Sequence, residues 1–278
     1  MTVHSFAGVT LDRPIVMGIV NVTPDSFSDG GQFSGADDAV GFGRHLHAQG
    51  ARIIDVGGES TRPGAKPVGA AEEIARVVPL IAALRTQTEL PISIDTMKPA
   101  VARAAILAGA DIWNDVTALG FDSRSLQTAA ELGCDVVLMH MRGDPRTMQA
   151  APHYDDVVSE VRDVLAGRAE AAMAAGVKPA RIWLDPGIGF GKTLAHNLAL
   201  TARLGEITSL GFPVLLGASR KSSISAIDPA AKTPDARLGG SLAFALAAAC
   251  AGAAAVRVHD VRETVQALKV WDAIEGGR

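Results

Sequence analysis

Several polar side chains in this sequence directly follow short apolar runs, and their types suit the recognition of a flat heterocycle. Asp95 and Asp185 each end such a run, Asn114 ends another, and Lys221 closes a Ser-Arg-Lys sequence after a fourth. Carboxylates accept paired N–H bonds, whereas an amide and an ammonium group supply donors. The set therefore predicts a pocket for a ring whose edge alternates donors and acceptors, such as an amino-pyrimidinone.

A second group of residues indicates an anion. Arg257 and His259 stand two residues apart at the end of the last predicted strand, so their side chains are expected to project together while the valines beside them project to the opposite side. A pair of cations at one place needs an anion or a carboxylate to hold it. With Asn21 and the loop 60–62, the pair suits a phosphate-bearing group bound with Mg²⁺. A structural salt bridge is the alternative.

Structural roles compete with these interpretations. Asp95, Asn114 and Asp185 could each cap a helix instead. The glycine-rich run 187–191 could form tight turns only, or it could bring backbone N–H groups close to an anion. Asp260, with a glutamate three positions later, we interpret as the capping box of the last helix rather than as a catalytic residue.

The serine, cysteine and histidine residues form no pattern typical of a hydrolase. The sequence suggests no Ser-His-Asp or Cys-His arrangement and contains no HExxH motif, so neither an acyl-enzyme nor a zinc hydrolase mechanism follows. His140, which follows an apolar run, we interpret as a structural or pocket-wall histidine rather than a base. Cys134 and Cys250 lie far apart in apolar stretches and are predicted to be reduced core residues.

To bring the polar residues together, the chain must place them at one end of a sheet. Short apolar runs alternate with helical patterns along all 278 residues, as expected for parallel strands buried on both faces. The predicted strands are 15–20, 52–56, 91–95, 111–113, 135–139, 181–184, 213–217 and 255–258. Polar residues follow every predicted strand. In a (β/α)₈ barrel the loops at the C-terminal ends of the strands carry the active site. The pattern predicts an α/β protein with one domain, residues 1–278, folded as a (β/α)₈ TIM barrel; a doubly wound open sheet is the alternative.

Composition and charge narrow the range of partners. The 26 basic and 30 acidic residues give a net charge of −4, so nothing favours nucleic acid or an anionic membrane surface. The longest nearly apolar run, 242–256, is shorter than the roughly 20 residues that span a bilayer and is predicted to be a buried helix. The N-terminus has no basic segment followed by an apolar core, so we expect a cytoplasmic protein.

Seven segments, in order along the chain, resemble the signature motifs of the dihydropteroate synthases, a family of pterin-binding TIM barrels. They are Asn-Val-Thr-Pro-Asp-Ser-Phe-Ser-Asp-Gly-Gly at 21–31, Gly-Gly-Glu-Ser-Thr-Arg-Pro-Gly at 57–64, Ser-Ile-Asp-Thr at 93–96, Asn-Asp-Val at 114–116, Asp-Pro-Gly-Ile-Gly-Phe at 185–190, Gly-Ala-Ser-Arg-Lys at 217–221 and Arg-Val-His-Asp at 257–260. The resemblance extends from about Ile15 to the last helix. Ser223 and Ser225 depart from it, because many members have a larger residue and then glycine there. The departure concerns the start of the seventh helix rather than the chemistry.

The resemblance implies an enzyme that condenses (7,8-dihydropterin-6-yl)methyl diphosphate with 4-aminobenzoate, giving 7,8-dihydropteroate and diphosphate in folate biosynthesis. It implies Mg²⁺ on Asn21, a homodimer formed through the last helices, and sulfonamides as competitors of 4-aminobenzoate. The residues expected to contact the pterin diphosphate are Thr61, Asp95, Asn114, Asp185, Lys221, Arg257, Val258 and His259. The residues expected to border 4-aminobenzoate are Thr61, Pro63, Phe190, Ser219 and Lys221. The residues expected to carry catalysis are Asp95, Lys221, Arg257 and His259.

The implied mechanism is dissociative. Cations stabilise the departing diphosphate, the pterin methylene becomes cationic, and the neutral aryl amine attacks without a strong base. Closure of the first two loops would exclude water from this intermediate. Two rival functions remain. One is a pterin-binding methyltransferase barrel that serves a corrinoid protein and needs no residues for diphosphate; the other is a barrel that binds pterin without catalysis.

Overall fold

The computed structural model describes residues 5–10, 14–22, 36–60, 65–144 and 147–277, and its strands follow the predicted order. The strands in these residues are β1 Ser5–Phe6, β2 Val9–Thr10, β3 Ile15–Asn21, β4 Ile53–Gly57, β5 Ile92–Asp95, β6 Ile112–Asp115, β7 Asp135–Met139, β8 Ile182–Asp185, β9 Leu215–Leu216 and β10 Ala255–Val258. All but the first two correspond to predicted strands.

The strands β3 to β10 form a closed parallel barrel. Each strand from β3 to β7 pairs with the next along the chain, and β10 pairs with both β3 and β9. A parallel bridge between Leu184 and Val214 joins β8 to the segment before β9 and closes the ring. The predicted (β/α)₈ barrel is therefore confirmed, and the doubly wound open sheet, which would leave two free edges, is excluded.

The predicted strand boundaries are close to those observed. The bounds of β7 and β10 match the prediction, and most others shift by one or two residues. Five of the eight barrel strands begin one or two residues later than predicted, and several also end later, because Asn21, Asp115 and Asp185 still belong to the ladders of their strands. The strand predicted at 213–217 is shorter, since only Leu215 and Leu216 are in β9.

A short hairpin that the sequence analysis did not predict lies at the N-terminal end of the barrel. Strands β1 and β2 pair in antiparallel fashion. The backbone N–H of Ala7, in the turn between them, donates to Asp135 Oδ2 at 2.6 Å, and Val9 is buried in the barrel core. The hairpin therefore covers the end of the barrel opposite to the strand C-termini.

Helices connect the strands and cover the outside of the barrel. They are α1 Ala36–Gln49, α2 Ala70–Arg85, α3 Pro99–Leu107, α4 Ser125–Leu132, α5 Val157–Ala174, α6 Leu194–Ala202, α7 Gly205–Thr208, α8 Ser222–Ile227, α9 Leu238–Cys250 and α10 Val261–Gly276, with short 3-10 turns at Pro179–Arg181 and Pro234–Arg237. Strand residues alternate between two cores, one inside the barrel and one under the helices. In β4, for example, Ile53 belongs to the inner core and Ile54 to the outer core.

Three predictions about individual segments need correction. Asp260 precedes α10, but its carboxylate makes no capping bond and accepts from Arg220 at 2.6 and 3.0 Å, since a guanidinium is a stronger partner than a backbone N–H. Cys134 is buried as predicted, whereas Cys250, the last residue of α9, is exposed. The run 242–256 is helical only as far as Cys250 and continues as a turn and β10. No helix among the described residues is long and apolar enough to cross a membrane.

Candidate active site

The mouth of the barrel, at the C-terminal ends of the strands, collects the predicted residues. Asn21, Asp95 and Asp185 are the last residues of β3, β5 and β8, and Asn114 is the next to last residue of β6. The strand register places these residues at the same height in the barrel. Asp95 lies opposite Asn114, and Gly57 lies opposite both Asn21 and Asp95. Side chains from separate strands are thereby brought to one rim.

The alternative role of these residues as helix caps is not observed. The helices that follow them, α3, α4 and α6, have Lys98, Arg124 and Thr193 as their N-terminal cap residues. In α6 the threonine side chain itself accepts from a backbone N–H of the first turn. The polar residues at the strand ends are thus not needed to begin a helix.

An arginine at the rim holds two carboxylates. The guanidinium of Arg257 donates through Nε to Asp55 Oδ2 at 2.7 Å and through Nη2 to Asp95 Oδ2 at 2.7 Å. Asp55 is fully buried, and its Oδ2 also lies 2.6 Å from Nη2 of Arg257. Burial raises the pKa of Asp95 above its ordinary value; the guanidinium opposes this rise and the carboxylate of Asp55 adds to it. The side chains therefore form one charged cluster.

Asp55 is a residue that the sequence analysis missed. It lies in the middle of β4 and points to the inside of the barrel, two residues beyond Ile53 of the inner core. Its Oδ1 lies 3.5 Å from the side-chain nitrogen of Asn114, which is itself buried. A carboxylate within an otherwise apolar, doubly buried strand was the signal that could have identified it, because such a charge must be paired.

The opposite part of the mouth contains Asp185. Its Oδ1 accepts the backbone N–H of Gly187 at 2.7 Å. Burial raises the pKa of Asp185 to about 6, although that N–H and the charges of Lys221 and Arg257 favour the ionised form. Gly217 separates this carboxylate from the arginine, since a Cβ at Gly217 would lie 3.8 Å from both Asp185 Oδ2 and Arg257 Cβ. The two parts of the mouth therefore face each other across a glycine.

The turn after Asp185, residues 187–191, has a shape that needs glycine. Gly187 and Gly191 have φ values of +67° and +66°. A side chain at either glycine would also collide with a backbone carbonyl, that of His140 or that of Arg142. The turn thus packs directly on the backbone that follows β7.

Side chains from outside the turn bind its backbone carbonyls. Lys192 Nζ donates to the carbonyls of Gly187 at 2.9 Å and Phe190 at 3.0 Å. Tyr154 donates its hydroxyl to Gly191 at 2.9 Å, and Gln149 donates to the carbonyl of Gly189. The conformation of the turn is therefore fixed by hydrogen bonds as well as by its glycines.

A buried lysine and histidine lie beneath this turn. Lys192 Nζ is 3.0 Å from His140 Nδ1 and 3.3 Å from the His140 carbonyl. Burial lowers the pKa of Lys192 to about 7, and burial together with the charge of Lys192 lowers the pKa of His140 to about 3. His140 is therefore a neutral acceptor in the wall, in agreement with its interpretation as a structural histidine.

A cation and an aromatic ring meet at the edge of the mouth. Lys221 Nζ lies 4.2 Å from the centre of the Phe190 ring, which is a cation–π contact. The residue before the lysine, Arg220, has a φ of +58° and pairs with Asp260 and Asp235. The side chains of Arg220 and Lys221 therefore have different partners, one outside the mouth and one within it.

Arg257 of β10 and His259 of the loop after it have different partners. Whereas Arg257 binds carboxylates, His259 Nδ1 lies 3.1 Å from Ser219 Oγ, and the backbone N–H of His259 donates to the same oxygen at 3.2 Å. Val258 is buried in the outer core, so its predicted substrate contact would involve its backbone. Thr61 and Pro63 lie outside the described residues.

The described residues offer few metal ligands at the mouth. No group of three or more His, Cys, Asp or Glu side chains that could hold a metal occurs in the part of the chain that the structure describes. Gly57 leaves open space beside the amide of Asn21, because a Cβ there would lie 3.6 Å from Asn21 Oδ1 and 3.9 Å from Asp95 Oδ2. This donor set fits an Mg²⁺ ion that takes most of its oxygen ligands from a substrate and water.

Comparison with known proteins gives relatives along nearly the whole chain. Residues 17–259 match the family described as pterin binding enzymes. The dihydropteroate synthase of Escherichia coli (strain K12) is 49% identical over 268 residues, which are 96% of this chain and 94% of that protein.

Solved structures agree with this match. The dihydropteroate synthase of Xanthomonas albilineans with 4-aminobenzoic acid superposes with a TM-score of 0.90 at 52% identity, covering 97% of this chain and 96% of that one. The dihydropteroate synthase of Yersinia pestis in complex with a sulfonamide drug gives a TM-score of 0.91 at 44% identity, covering 99% of both chains.

Proposed function

We propose that this chain, which belongs to the dihydropteroate synthases within the family of pterin binding enzymes, uses the mouth of its barrel to join a pterin-methyl diphosphate to 4-aminobenzoate. It is a transferase of folate biosynthesis that forms 7,8-dihydropteroate. The observation that carries the assignment of the site is the cluster of Asp95, Asn114, Asp185 and Lys221 around Arg257 at one rim.

The pterin ring lies between Asp95, Asn114 and Asp185 in this proposal. Asp185 is held by the N–H of Gly187, which leaves its second oxygen, Oδ2, facing Gly217. A carboxylate in that position accepts the paired N–H groups of an amino-pyrimidinone edge. The burial of Asn114 and Asp185 favours an uncharged ring.

The diphosphate is bound at the side of Arg257 and His259, with Thr61 completing the set. The guanidinium offsets the charge of one of its two carboxylates, and the raised pKa of Asp95 reduces the negative charge that remains, which lessens the repulsion of an incoming anion. Asn21 would hold Mg²⁺, and the ion would supply charge neutralisation for the leaving group. Preorganised cations at the leaving group stabilise the charge that develops as the bond to the methylene breaks.

The second substrate, 4-aminobenzoate, is bordered by Phe190, Lys221 and Ser219, with Thr61 and Pro63 from the second loop. The ring of Phe190 supplies a flat apolar wall, and Lys221 supplies a cation close to it. The aryl amine is neutral near pH 7, so its attack on the methylene needs orientation rather than a strong base. The neutral His140 lies in the wall behind the turn and takes no proton in this scheme.

The direct test is product formation. Purified protein is incubated with (7,8-dihydropterin-6-yl)methyl diphosphate, Mg²⁺ and 4-aminobenzoate, and dihydropteroate and diphosphate are measured. We expect both products in equal amounts, with a sulfonamide raising the KM for 4-aminobenzoate. Pterin binding without product at saturating Mg²⁺ would instead identify a binding protein, and methyl transfer to a corrinoid protein would identify the methyltransferase alternative.

The metal proposal has its own test in Asn21→Ala. A single amide is a weak ligand, so the variant should lose activity at low Mg²⁺ and recover part of it as Mg²⁺ is raised. We expect the Mg²⁺ concentration at half-maximal activity to rise several-fold, because the loss of one polar contact costs about 1 kcal/mol. Identical Mg²⁺ dependence in variant and parent would remove Asn21 from this role.

We further propose a cytoplasmic homodimer of single-domain chains. The last helix leaves Val270 and Ile274 exposed at 56% and 55%, which favours a partner surface there. Analytical ultracentrifugation at micromolar protein concentration measures the oligomeric state. A dimer that dissociates in Val270→Glu is the expected outcome, and a monomeric parent would contradict the proposal.

A further inference from the structure

One buried amide bonds to both segments that border the proposed site for 4-aminobenzoate. Asn197, in the first turn of α6, is 3% exposed. Its Oδ1 accepts the backbone N–H of Gly189 at 2.8 Å, and its Nδ2 donates to Ser223 Oγ at 2.9 Å. Gly189 immediately precedes Phe190, and Ser223 is the second residue of α8, two positions after Lys221.

The two segments joined by this amide otherwise rest on different parts of the fold. Lys192 and Tyr154 bind the turn from the side of β7 and α5. The segment around Lys221 is held from the other side, where Arg220 pairs with Asp260 at the start of α10. The distance between the ring of Phe190 and the ammonium of Lys221 therefore depends on how these two supports are connected.

Direct packing, in which the aliphatic carbons of Lys221 lie beside Gly189, contributes to that distance together with the amide. Both Phe190 and Lys221 are only half-buried, so neither side chain is clamped by the core. Asn197 and Ser223, in contrast, are both buried, and a buried amide that lost a partner would carry the penalty of an unsatisfied polar group. The amide therefore resists a change in the relative position of the two segments.

We propose that Asn197 is a positioning residue that sets the spacing of Phe190 and Lys221 through Ser223, and so sets the affinity for 4-aminobenzoate. The inference rests on the proposed assignment of Phe190 and Lys221 to the second substrate. It concerns mainly the second substrate, because Phe190 is assigned to 4-aminobenzoate alone and the carboxylates of the pterin edge, Asp95 and Asp185, are held by other contacts.

The sharpest test is Ser223→Ala, which deletes one hydroxyl and leaves the bond from Asn197 to Gly189 intact. Loss of a buried neutral hydrogen bond of about 1 kcal/mol corresponds to about a fivefold change. We expect the KM for 4-aminobenzoate to rise about three- to tenfold, while kcat and the KM for the pterin diphosphate stay within about twofold. A general loosening of the fold would lower kcat and raise both KM values together.

Ser225→Ala is the matched control. Ser225 lies in the same helix, and its hydroxyl donates to the carbonyl of Ser222 rather than to the amide. The substitution makes the same change in composition and helix propensity, and it should leave both KM values unchanged. Equal effects of Ser223→Ala and Ser225→Ala, or an unchanged KM for 4-aminobenzoate in Ser223→Ala, would overturn the proposal.

A double-mutant cycle tests whether the effect passes through the amide. In an Asn197→Ala background the link is already broken, so adding Ser223→Ala should change the KM for 4-aminobenzoate by less than about 1.5-fold. Additive effects would show that Ser223 acts independently and would contradict the proposal. If Asn197→Ala does not fold, the comparison of Ser223→Ala with Ser225→Ala still decides.

A separate variant tests whether Phe190 borders the 4-aminobenzoate site at all. Phe190→Ala should raise the KM for 4-aminobenzoate at least as much as Ser223→Ala does. If Phe190→Ala leaves that KM unchanged, the proposed site for the second substrate is wrong and the role of Asn197 falls with it. If only the serine variant has no effect, the site stands and the positioning role is wrong.

Discussion

The two parts of the barrel mouth hold their carboxylates in opposite ways. In what we call the arginine side, made of Asp55, Asp95, Asn114 and Arg257, side chains from four strands bind one another directly. In what we call the turn side, made of Asp185, residues 187–192 and Lys221, the carboxylate is bound by a backbone N–H. The backbone there is in turn fixed by glycines and by side chains behind it.

The difference predicts which kinetic parameter each side controls. On the arginine side a substitution changes the balance of charge near the leaving group, and interactions with developing charge act mainly on the transition state. On the turn side a substitution changes the position of groups that hold both substrates. We therefore expect changes in kcat from the first side and changes in binding from the second.

Arg257→Ala should have the largest effect, because it removes a cation and leaves the buried Asp55 and the half-buried Asp95 without their shared partner. Breaking a buried ion pair from one side costs about 3–5 kcal/mol, so the free energy of unfolding should fall by several kcal/mol. We also expect kcat/KM to fall on the order of 10³-fold. Urea denaturation and steady-state kinetics measure the two effects.

The companion variants locate the cause. Diphosphate alone should bind less tightly to Arg257→Ala by calorimetry, whereas Arg257→Lys should recover part of the affinity, since it keeps the charge but not the forked geometry. Unchanged diphosphate affinity in Arg257→Ala would remove this residue from the diphosphate site and leave it a purely structural role.

Asp95→Asn should have the next largest effect. The change keeps the size and one acceptor but removes a charge, and Arg257 retains Asp55 as a partner. If Asp95 stabilises the positive methylene, kcat should fall about 10²–10³-fold with a nearly unchanged KM for the pterin diphosphate. A raised KM with the parental kcat would show that Asp95 only holds substrate and would break the division between the two sides.

On the turn side, Gly187→Ala should destabilise the protein far more than Gly211→Ala does. Both glycines have positive φ, +67° and +86°, so both variants carry a left-handed penalty of about 1–2 kcal/mol. At Gly211 the added methyl group meets nothing within 4 Å, whereas at Gly187 it collides with the carbonyl of His140. We expect an additional loss of about 1–3 kcal/mol in the free energy of unfolding for Gly187→Ala. Equal losses would mean that the turn moves freely and does not fix Asp185.

The contacts of the turn side were easier to predict from the sequence than those of the arginine side. The reason is the distance along the chain between the residues that contact each other. Asp185 and its glycine-rich turn form a contiguous motif, so a local pattern was enough to predict them. The partner of Arg257 is Asp55, 202 positions away, and no local pattern connects the two. The pairing of Lys192 with His140 over 52 positions was missed for the same reason.

The fold was more predictable than its contacts. Alternation of short apolar runs with helical patterns gave the barrel and its strand order, because parallel strands that are buried on both faces leave a strong trace in composition. The hairpin β1–β2 left no comparable trace, since each strand has only two residues. Asp260 was misassigned because a capping box is a local rule, and a distant guanidinium competes for the same carboxylate.

The smallest effect that we predict is the pH dependence of pterin binding. Burial raises the pKa of Asp185 to about 6 from its ordinary 3.8, while Gly187, Lys221, Arg257 and Lys192 oppose this rise. An acceptor for ring N–H groups must be ionised, so affinity should fall as pH drops through 6. The loss should be about tenfold at pH 5 and should steepen towards tenfold per pH unit below it. An unshifted aspartate would hold its affinity down to about pH 4.

Asp185→Asn provides the comparison for this profile. The variant should bind pterin more weakly at every pH but lose the step near pH 6, since no group titrates at that position. His140 stays neutral through this range because its pKa is lowered to about 3. Asp95 also has a raised pKa, so any slope that remains in Asp185→Asn should disappear in the double variant with Asp95→Asn. Titration of the ligand itself cancels in the ratio of parent to variant affinities. A parent profile that stays flat to pH 5 would show that Asp185 is not the acidic contact, and the turn side would then act on binding through its shape alone.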